Sequence, residues 1–300
     1  MTGATRKNRQ VPRVLLATFN LMPEGEPGGE LLMAALADRS VEAAWAEWDD
    51  PEVDWAAAEL VAVRSTWDYH RRTAEFLDWA REVESHTELL NGAELFAWNA
   101  DKAYLVALGE HVPCVPTALL EDRTLVTGLP EATARWGTSV IKPRIGASIW
   151  SRSSSTSRAT TTPMPLAPSP WVVQPLVESV RTVGETSVYV FGGTAVSQVD
   201  KRPAGDEVRV HEAYGGHSLP VPLDPERAAL AQKAVAAVGA RQGREPAYAR
   251  VDVMWWDDEW VVSELELIEP GLYLDIDPGN AEAFADLLVC LLYTSDAADE

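Results

Sequence analysis

Apolar and polar residues alternate along the chain in a way that predicts strands and helices following one another. Short apolar runs suited to buried strands occur at Arg13–Phe19 and Glu59–Arg64. Apolar residues recur at helical spacing over Leu31–Ala37 and over Thr73–Ser85, whose first residue is a suitable helix cap. This order predicts a small parallel α/β lobe over about residues 11–95.

The rest of the chain alternates in the same manner and ends in a polar tail. In chain order, the predicted elements are a helix from a capping Asn99 to Leu108, strands at Thr138–Lys142 and Trp171–Gln174, a hairpin of Glu185–Phe191 and Thr194–Asp200, a helix at Pro225–Val238 that stops at Gly239, and a helix at about Ala281–Leu292. The Ser- and Thr-rich segment Arg144–Thr162 predicts a mobile loop. The final residues, 293–300, do not continue the helical pattern and are set apart as a foreign tail.

A second hairpin, within Arg250–Gly271, carries an unusual set of charges. Because strand side chains alternate between faces, Arg250 and Asp252 share a face, as do Glu264 and Glu266. A three-residue loop at its tip, which pairs Trp256 with Trp260, would place Asp252 opposite Glu264 and Arg250 opposite Glu266. A two-residue turn would shift the register and separate the acids.

The three acids of this hairpin can be interpreted in two ways. Mg²⁺ takes oxygen ligands, usually one or two carboxylates with phosphate and water, and Asp252, Glu264 and Glu266 supply such ligands. The alternative is a solvated acidic face without a metal. Cations elsewhere in the chain favour the metal interpretation, because a Mg·ATP site needs both kinds of charge.

The overall composition indicates which kinds of binding partner and which cellular setting to expect. The formal net charge of −21 excludes a general nucleic-acid binder, since phosphate contacts need a basic surface. No run of about 18 apolar residues predicts a membrane span, and the polar N-terminus does not resemble a secretory signal. Only two cysteines, Cys114 and Cys290, occur, so we expect a reducing, cytoplasmic setting.

Two lysines stand where a phosphate could bind. Lys142 ends a strand just before the polar segment, whose backbone amides could hold the remaining phosphate oxygens. Lys102 falls in the first turn of a predicted helix, where the helix dipole disfavours a cation unless an anion is bound. A solvated surface lysine is the alternative for Lys142.

Two polar stretches could contact the rest of a nucleotide. Gln174–Glu185 links two strands and could offer backbone groups to adenine, with Glu178 or Glu185 accepting from ribose. Lys201, Arg202 and Arg209 form a basic run suited to a transferring phosphoryl group. The alternatives are a polar connection and a surface salt-bridge cluster.

A third polar stretch follows the apolar strand Glu59–Arg64. Ligands of α/β lobes bind at the carboxyl ends of strands, so Arg64, Ser65, Asp68 and Tyr69 could bind a small polar substrate. Arg64 is the expected partner of a carboxylate. The alternative is a turn that starts a helix and packs on the core.

Taken in order, these elements resemble the ATP-grasp superfamily over about residues 11–292. The resemblance implies the following positions: Lys102 and Lys142 on phosphates, Gly146 and Ser148 in the phosphate flap, Gln174, Leu176 and Val177 at the adenine hinge, Glu185 at the ribose, Lys201, Arg202 and Arg209 in the basic run, Arg250 at the reacting phosphoryl group, and Asp252, Glu264 and Glu266 on the metal. Glu266 departs from the pattern by replacing the usual Asn, Gln174 stands where an acid is common, and the flap has a single glycine.

Within the superfamily, the motifs RSTWDYH, WNADK, KRPAGDEVRVHE and ELELIEPGLYL are similar to the branch that contains the cycloserine-pathway cyclo-ligase. That resemblance implies an antibiotic-biosynthesis enzyme that closes O-ureido-serine into a ring through an acyl phosphate. An intermolecular amino-acid ligase and a catalytically silent Mg·ATP-binding module are the alternatives.

The resemblance also implies an architecture. We expect an α/β protein with an N-terminal parallel lobe at 1–95 and two lobes, 96–173 and 174–292, that close on ATP. The implied cofactors are ATP and Mg²⁺, with Mn²⁺ as an alternative metal. The expected partner is a small amino-acid-like molecule, without nucleic acid or membrane, bound by a monomer or homodimer.

Overall fold

The computed structural model describes residues 13–146, 150–152, 170–205 and 207–295. Its first part is a four-stranded parallel sheet in the order β2-β1-β3-β4. Its elements are β1 (Arg13–Thr18), α1 (Gly29–Asp38), β2 (Glu42–Glu47), β3 (Leu60–Val63), α2 (Thr73–Glu84) and β4 (Glu88–Leu89). The predicted parallel α/β arrangement is confirmed.

Two details of this part differ from the prediction. Strand β2, with the sequence EAAWAE, has charged ends and no β-branched residue, so its pattern did not predict a strand. Thr73 is not the cap of α2 but its first residue, because Arg72 holds the cap position. The Thr73 hydroxyl donates back to the carbonyl oxygens of Tyr69 and His70 at 3.4 and 3.3 Å.

The middle of the chain forms an antiparallel sheet in the order β5-β8-β6-β7. Its elements, with the helices that lead to it, are α3 (Gly92–Asn99), α4 (Tyr104–Leu108), β5 (Ala118–Leu120), α5 (Asp122–Trp136), β6 (Ser139–Pro143), β7 (Trp150–Arg152) and β8 (Trp171–Pro175). Asn99 ends a helix instead of capping one, and Lys102 precedes α4, so both of those predictions are wrong. Strand β7 lies inside the segment predicted as a loop, most of which is outside the described residues.

The last part is a five-stranded antiparallel sheet in the order β11-β10-β9-β12-β13. Its elements are β9 (Glu185–Phe191), β10 (Thr194–Arg202), β11 (His217–Val221), α6 (Pro225–Gln242), β12 (Tyr248–Trp256), β13 (Glu259–Glu266) and α7 (Gly279–Ser295). The predicted hairpin of β9 and β10 is confirmed.

Both of the last helices run further than predicted. Helix α6 passes through Gly239 and ends at Gln242, and the next residue, Gly243, caps it in the left-handed conformation with φ 74°. Gly239 packs closely against the following loop, since a Cβ there would lie 3.0 Å from the Cα of Glu245. Helix α7 continues through Ser295, so the first residues of the predicted tail are helical.

Helix α7 packs against both the N-terminal and the C-terminal parts of the chain. Its buried Phe284 and Leu288 belong to one apolar cluster with Leu16 of β1, Leu32 of α1 and Tyr248 of β12. The N-terminal and C-terminal sheets therefore share a core. The lobe boundaries at 95 and 173 stay predictions. Among the described residues, no helix has the length and hydropathy that a membrane crossing needs.

Candidate active site

The hairpin of β12 and β13 brings its acids together as predicted. Arg250 pairs with Glu266, and Asp252 pairs with Glu264. Both predicted pairs are therefore confirmed.

The turn that produces this register was predicted wrongly. Trp256 pairs with Glu259 across a two-residue turn, Asp257-Asp258, whose φ angles of 50° and 64° are those of a type I′ turn. The register then shifts at a bulge between Asp252 and Val253, where Ser263 is the extra residue. The turn is one residue shorter than predicted, and the extra residue in the bulge compensates for it. The predicted pairs of Asp252 with Glu264 and of Arg250 with Glu266 are therefore kept.

The three acids form a cluster that fits a divalent cation. One carboxylate oxygen from each of Asp252, Glu264 and Glu266 lies within 4.8 Å of the other two. Burial, and then the other two acids, raise the pKa of Glu266 to about 7, although Arg250 opposes this. Charges of one sign at such distances are stabilised by a bound cation, and hard oxygen donors suit Mg²⁺ or Mn²⁺.

Asp252 is the buried centre of this cluster. Its oxygens accept from Ser187 Oγ at 2.6 Å, Lys201 Nζ at 3.1 Å, and Arg250 Nε and Nη2 at 3.0 and 2.9 Å. Burial opposes ionisation, but Arg250 and Lys201 outweigh it and hold the pKa of Asp252 below its usual range. This carboxylate is therefore charged at neutral pH.

Each of the other two acids of the cluster has a cationic neighbour. Arg250 Nη2 lies 2.5 Å from Glu266 Oε1, and Lys102 Nζ lies 2.9 Å from Glu264 Oε1. Burial opposes the ionisation of Glu264, but Lys102 and then Lys142 outweigh it and lower its pKa to about 2. Of the two lysines predicted to bind phosphate, Lys102 thus contacts the acidic cluster directly, and Lys142 acts on Glu264 through its charge.

Side chains from α3 and α4 hold the outer edge of β13 in place. Asn99 donates to the carbonyl of Leu265 at 2.8 Å and accepts from the amide of Leu267 at 2.9 Å. The Tyr104 hydroxyl accepts from the amide of Leu265 at 2.8 Å. Sequence reasoning missed both as positioning residues, because the contacts cross more than 160 residues of chain.

Lys201 and Glu185 belong to the acidic cluster rather than to separate subsites. Lys201 is buried, and its Nζ lies 2.5 Å from Glu185 Oε1 as well as 3.1 Å from Asp252. Ser263 at the bulge donates to Glu185 at 3.3 Å. The predicted ribose-binding role of Glu185 is thus in conflict with its ion pair.

The predicted adenine hinge lies at the end of β8, and some of its polar groups already form hydrogen bonds within the protein. Gln174 is buried and donates to Thr117 Oγ1 at 2.9 Å, and the Leu176 amide donates to Thr138 at 2.9 Å. Val177 packs in an apolar cluster with Val261. Gly146 has φ 103° beside His70, and Ser148 lies outside the described residues.

Arg202 and Arg209 make contacts away from the acidic cluster, which do not support their predicted role at a transferring phosphoryl group. Arg202 donates to the carbonyl of Thr182 at 2.7 Å. Arg209 pairs with Glu207 at 2.5 Å and stacks 3.7 Å over the ring of Tyr214. The surface salt-bridge alternative describes Arg209 better than a phosphoryl contact.

The predicted substrate segment is anchored in the protein instead of facing a ligand. Arg64 is fully buried, with Nη2 donating to Glu26 Oε1 at 2.7 Å and to the Pro270 carbonyl at 2.6 Å. Ser65 is buried against Thr18 at 2.9 Å. A substrate carboxylate would have to displace these partners, so this role of Arg64 is corrected.

The other two residues of that segment are also engaged. Asp68 accepts from Trp48 Nε1 at 3.0 Å and from Arg72 at 2.9 Å. Tyr69 is buried beside Phe76, and burial raises the pKa of its hydroxyl well above the usual value. Both support the fold, and their role as substrate ligands stays a prediction.

Comparison with known proteins supplies the family. The sequence profile of the N-terminal domain of D-cycloserine synthetase DcsG matches residues 14–91. The cycloserine biosynthesis protein DcsG of Streptomyces lavendulae is 32% identical, over 86% of this chain and 91% of that protein. The crystal structure of D-cycloserine synthetase DcsG has a TM-score of 0.82 at 28% identity, covering 93% of this chain and 99% of that one.

A more distant structure shares the fold. The D-alanine–D-alanine ligase of Bacillus anthracis, solved with ATP, has a TM-score of 0.68 at 17% identity, covering 96% of this chain and 98% of that one. With the arrangement of sheets described above, these likenesses show that the chain has the ATP-grasp fold and belongs to the DcsG family.

Proposed function

We propose that the protein activates the carboxylate of an amino-acid derivative with ATP and then forms a C–N bond, closing a ring in a substrate such as O-ureido-serine. The observation that carries this proposal is the meeting of Asp252, Glu264 and Glu266 with Lys102 and Lys142 at one place. A carboxylate-activating ligase needs this combination, since acids hold a metal and lysines hold phosphates.

The residues fit a divalent metal, Mg²⁺ or in its place Mn²⁺. Asp252, Glu264 and Glu266 would hold it, because their oxygens converge and the pKa of Glu266 is raised by burial and then by the other two carboxylates. Such an ion, when bound, neutralises charge on the phosphate oxygens of the nucleotide. Lys102, now paired with Glu264, would turn to the phosphates once a metal shares that acid.

The rest of the chemistry is positioning. Arg250 reaches both Asp252 and Glu266, so its guanidinium can stabilise negative charge that develops beside them. The substrate carboxylate oxygen attacks the γ-phosphorus, ADP leaves, and an acyl phosphate forms. A nitrogen of the same molecule then displaces phosphate. Water must be excluded, because acyl phosphates hydrolyse readily.

The remaining nucleotide contacts follow the predicted order with two changes. We assign the adenine to the end of β8, where Gln174, Leu176 and Val177 lie. Glu185 positions Lys201 instead of binding ribose, because the two are paired within a buried network. Arg202 and Arg209 are left out of the phosphoryl site. We place the reaction in the cytoplasm, which the two unpaired cysteines support.

A phosphate-release screen over D- and L-amino acids, including O-ureido-serine, tests the proposal when the products are identified by mass spectrometry. We expect ADP and a cyclised product. A dipeptide product would indicate the intermolecular ligase instead. Binding of Mg·ATP without ADP release for any amino acid would contradict the proposal and indicate a silent binding module.

A further inference from the structure

The irregular segment that follows β13, residues 267–272, is held almost entirely by side chains. Each of its carbonyl oxygens accepts a hydrogen bond from a side chain outside the segment. The donors are Asn91 to Leu267 at 2.8 Å, Tyr248 to Ile268 at 2.9 Å, Trp67 to Glu269 at 3.2 Å, Arg64 to Pro270 at 2.6 Å, Tyr189 to Gly271 at 3.1 Å and Asn280 to Leu272 at 2.7 Å. We call this segment the tethered loop.

Arg64 and Trp67 hold the tethered loop in place, a structural role that the sequence did not predict. Buried backbone carbonyls need partners, and here side chains supply them in place of a strand, with Arg64, Trp67 and Asn91 coming from the N-terminal part of the chain. Glu26 completes the set by accepting from the amide of Leu272 at 2.6 Å. A loop fixed at every carbonyl holds its own side chains at defined positions, as a binding site requires.

Glu269 is the charged side chain that the tethered loop presents. It is half-buried, and its carboxylate forms no ion pair or hydrogen bond with another residue in the described part of the chain. It stands three residues after Glu266 but outside the cluster of converging carboxylates. Burial, and then the charge of Glu266, raise its pKa to about 8, while Lys102 opposes this.

The surroundings of the Glu269 carboxylate favour the binding of a cation there. The loop that carries it passes close to the acidic cluster, because a Cβ at Gly271 would lie 3.8 Å from Arg250 Nη1 and 3.7 Å from the ring of Trp67. The charges of Glu266 and Lys102 act on the Glu269 carboxylate, in agreement with this placement. Lys102 is already paired with Glu264, so no cation of the described chain compensates Glu269 directly. A partly desolvated carboxylate without a partner is costly, and an ammonium group is its natural complement.

We propose that Glu269 binds the ammonium group of the substrate and so selects an amino acid over the matching carboxylic acid without the amine. This rests on the proposed function, in which the carboxylate of the same substrate reacts at the neighbouring acidic cluster. The amine and the carboxylate of an α-amino acid are carried on one carbon atom. A fixed carboxylate beside the reacting centre therefore orients the substrate as well as holding it.

The test compares Glu269→Gln with the unaltered enzyme on two probes. The first is O-ureido-serine, as both enantiomers, measured by KM and kcat for phosphate release. The second is its desamino analogue, 3-(ureidooxy)propanoate, measured by its inhibition constant. Because a charge-assisted contact is lost, we expect KM for the amino acid to rise about 10- to 100-fold. The inhibition constant of the analogue, kcat and KM for ATP should stay within about threefold.

Two further variants complete the design. Glu269→Asp keeps the charge and should recover part of the lost affinity for the amino acid. Glu94→Gln makes the same chemical change at an exposed position of α3 and should alter none of these constants.

The outcomes separate this inference from the function on which it rests. Equal weakening of both probes, or a fall in kcat with unchanged KM, would overturn the role of Glu269 while leaving the ligase intact. A failure of the unaltered enzyme to release phosphate with any amino acid would overturn the proposed function and the inference together.

Discussion

Asp252 shows how strongly the behaviour of one residue depends on its cross-strand neighbours. Ser187, which pairs with Asp252 across β9 and β12, donates to it directly. Lys201 reaches it from β10, where it pairs with Glu185. A buried carboxylate with this set of donors stays charged, and loss of one partner would leave a charge uncompensated.

Glu264 and Lys142 are the residues whose removal tests the site most selectively. We expect Glu264→Gln and Lys142→Ala to lower kcat/KM for phosphate release by at least about 100-fold, since each removes a charge that binds metal or phosphate. Circular dichroism should show an intact fold. Lys233→Ala, on the exposed face of α6, is the matched control. Full activity in a folded Glu264→Gln variant would contradict the metal assignment.

The alternation of side chains along strands was sufficient to predict which acids face one another. It was not sufficient to predict which cations contact them. Lys201 was expected in a basic run with Arg202, yet alternation along β10 sends one inward to Asp252 and the other outward to the Thr182 carbonyl. Which face of β10 is buried depends on the packing of five strands, and a single strand does not carry that information.

At the scale of elements, the hairpin combines a short turn with a bulge. The turn residues Asp257 and Asp258 both have positive φ, a conformation that costs a residue with a Cβ more than it costs glycine. Ser263 in the bulge then restores the pairing of Asp252 with Glu264. A bulge is difficult to predict from sequence because it depends on the partner strand as much as on its own residues.

Replacement of Asp258 by Gly should stabilise the hairpin without touching its chemistry. At φ 64° a glycine fits the type I′ turn without strain, so we expect the free energy of unfolding to rise by about 0.5–1 kcal/mol. Urea denaturation measures the change, and phosphate release should be unaltered. A loss of stability would indicate that the turn does not adopt this conformation.

At the scale of the whole molecule, the N-terminal sheet and the C-terminal sheet are held together by long-range contacts. Helix α7 packs between them, and the buried pair of Arg64 and Glu26 reaches the tethered loop through Pro270 and Leu272. The order of strands and helices was enough to predict the parallel lobe. It could not reveal that Arg64 points inward, because its carbonyl partner at Pro270 lies 206 residues away.

Arg64→Met should therefore destabilise the molecule. The variant leaves Glu26 buried without its cation, so we expect a loss of about 3–5 kcal/mol in the free energy of unfolding, measured by urea denaturation. The double variant Arg64→Met with Glu26→Gln should recover part of this loss. If the free energy of unfolding of the single variant changes by less than about 1 kcal/mol, the pair is open to solvent. Arg64 would then again be a candidate ligand of the substrate carboxylate.

The transfer of a carboxylate oxygen to phosphate tests carboxylate activation most directly. O-ureido-serine labelled with ¹⁸O in its carboxylate is incubated with the enzyme, Mg²⁺ and ATP, and the released phosphate is analysed by mass spectrometry. If an acyl phosphate forms and is then displaced by nitrogen, each phosphate should carry one ¹⁸O atom from the substrate. Release of unlabelled phosphate would contradict carboxylate activation.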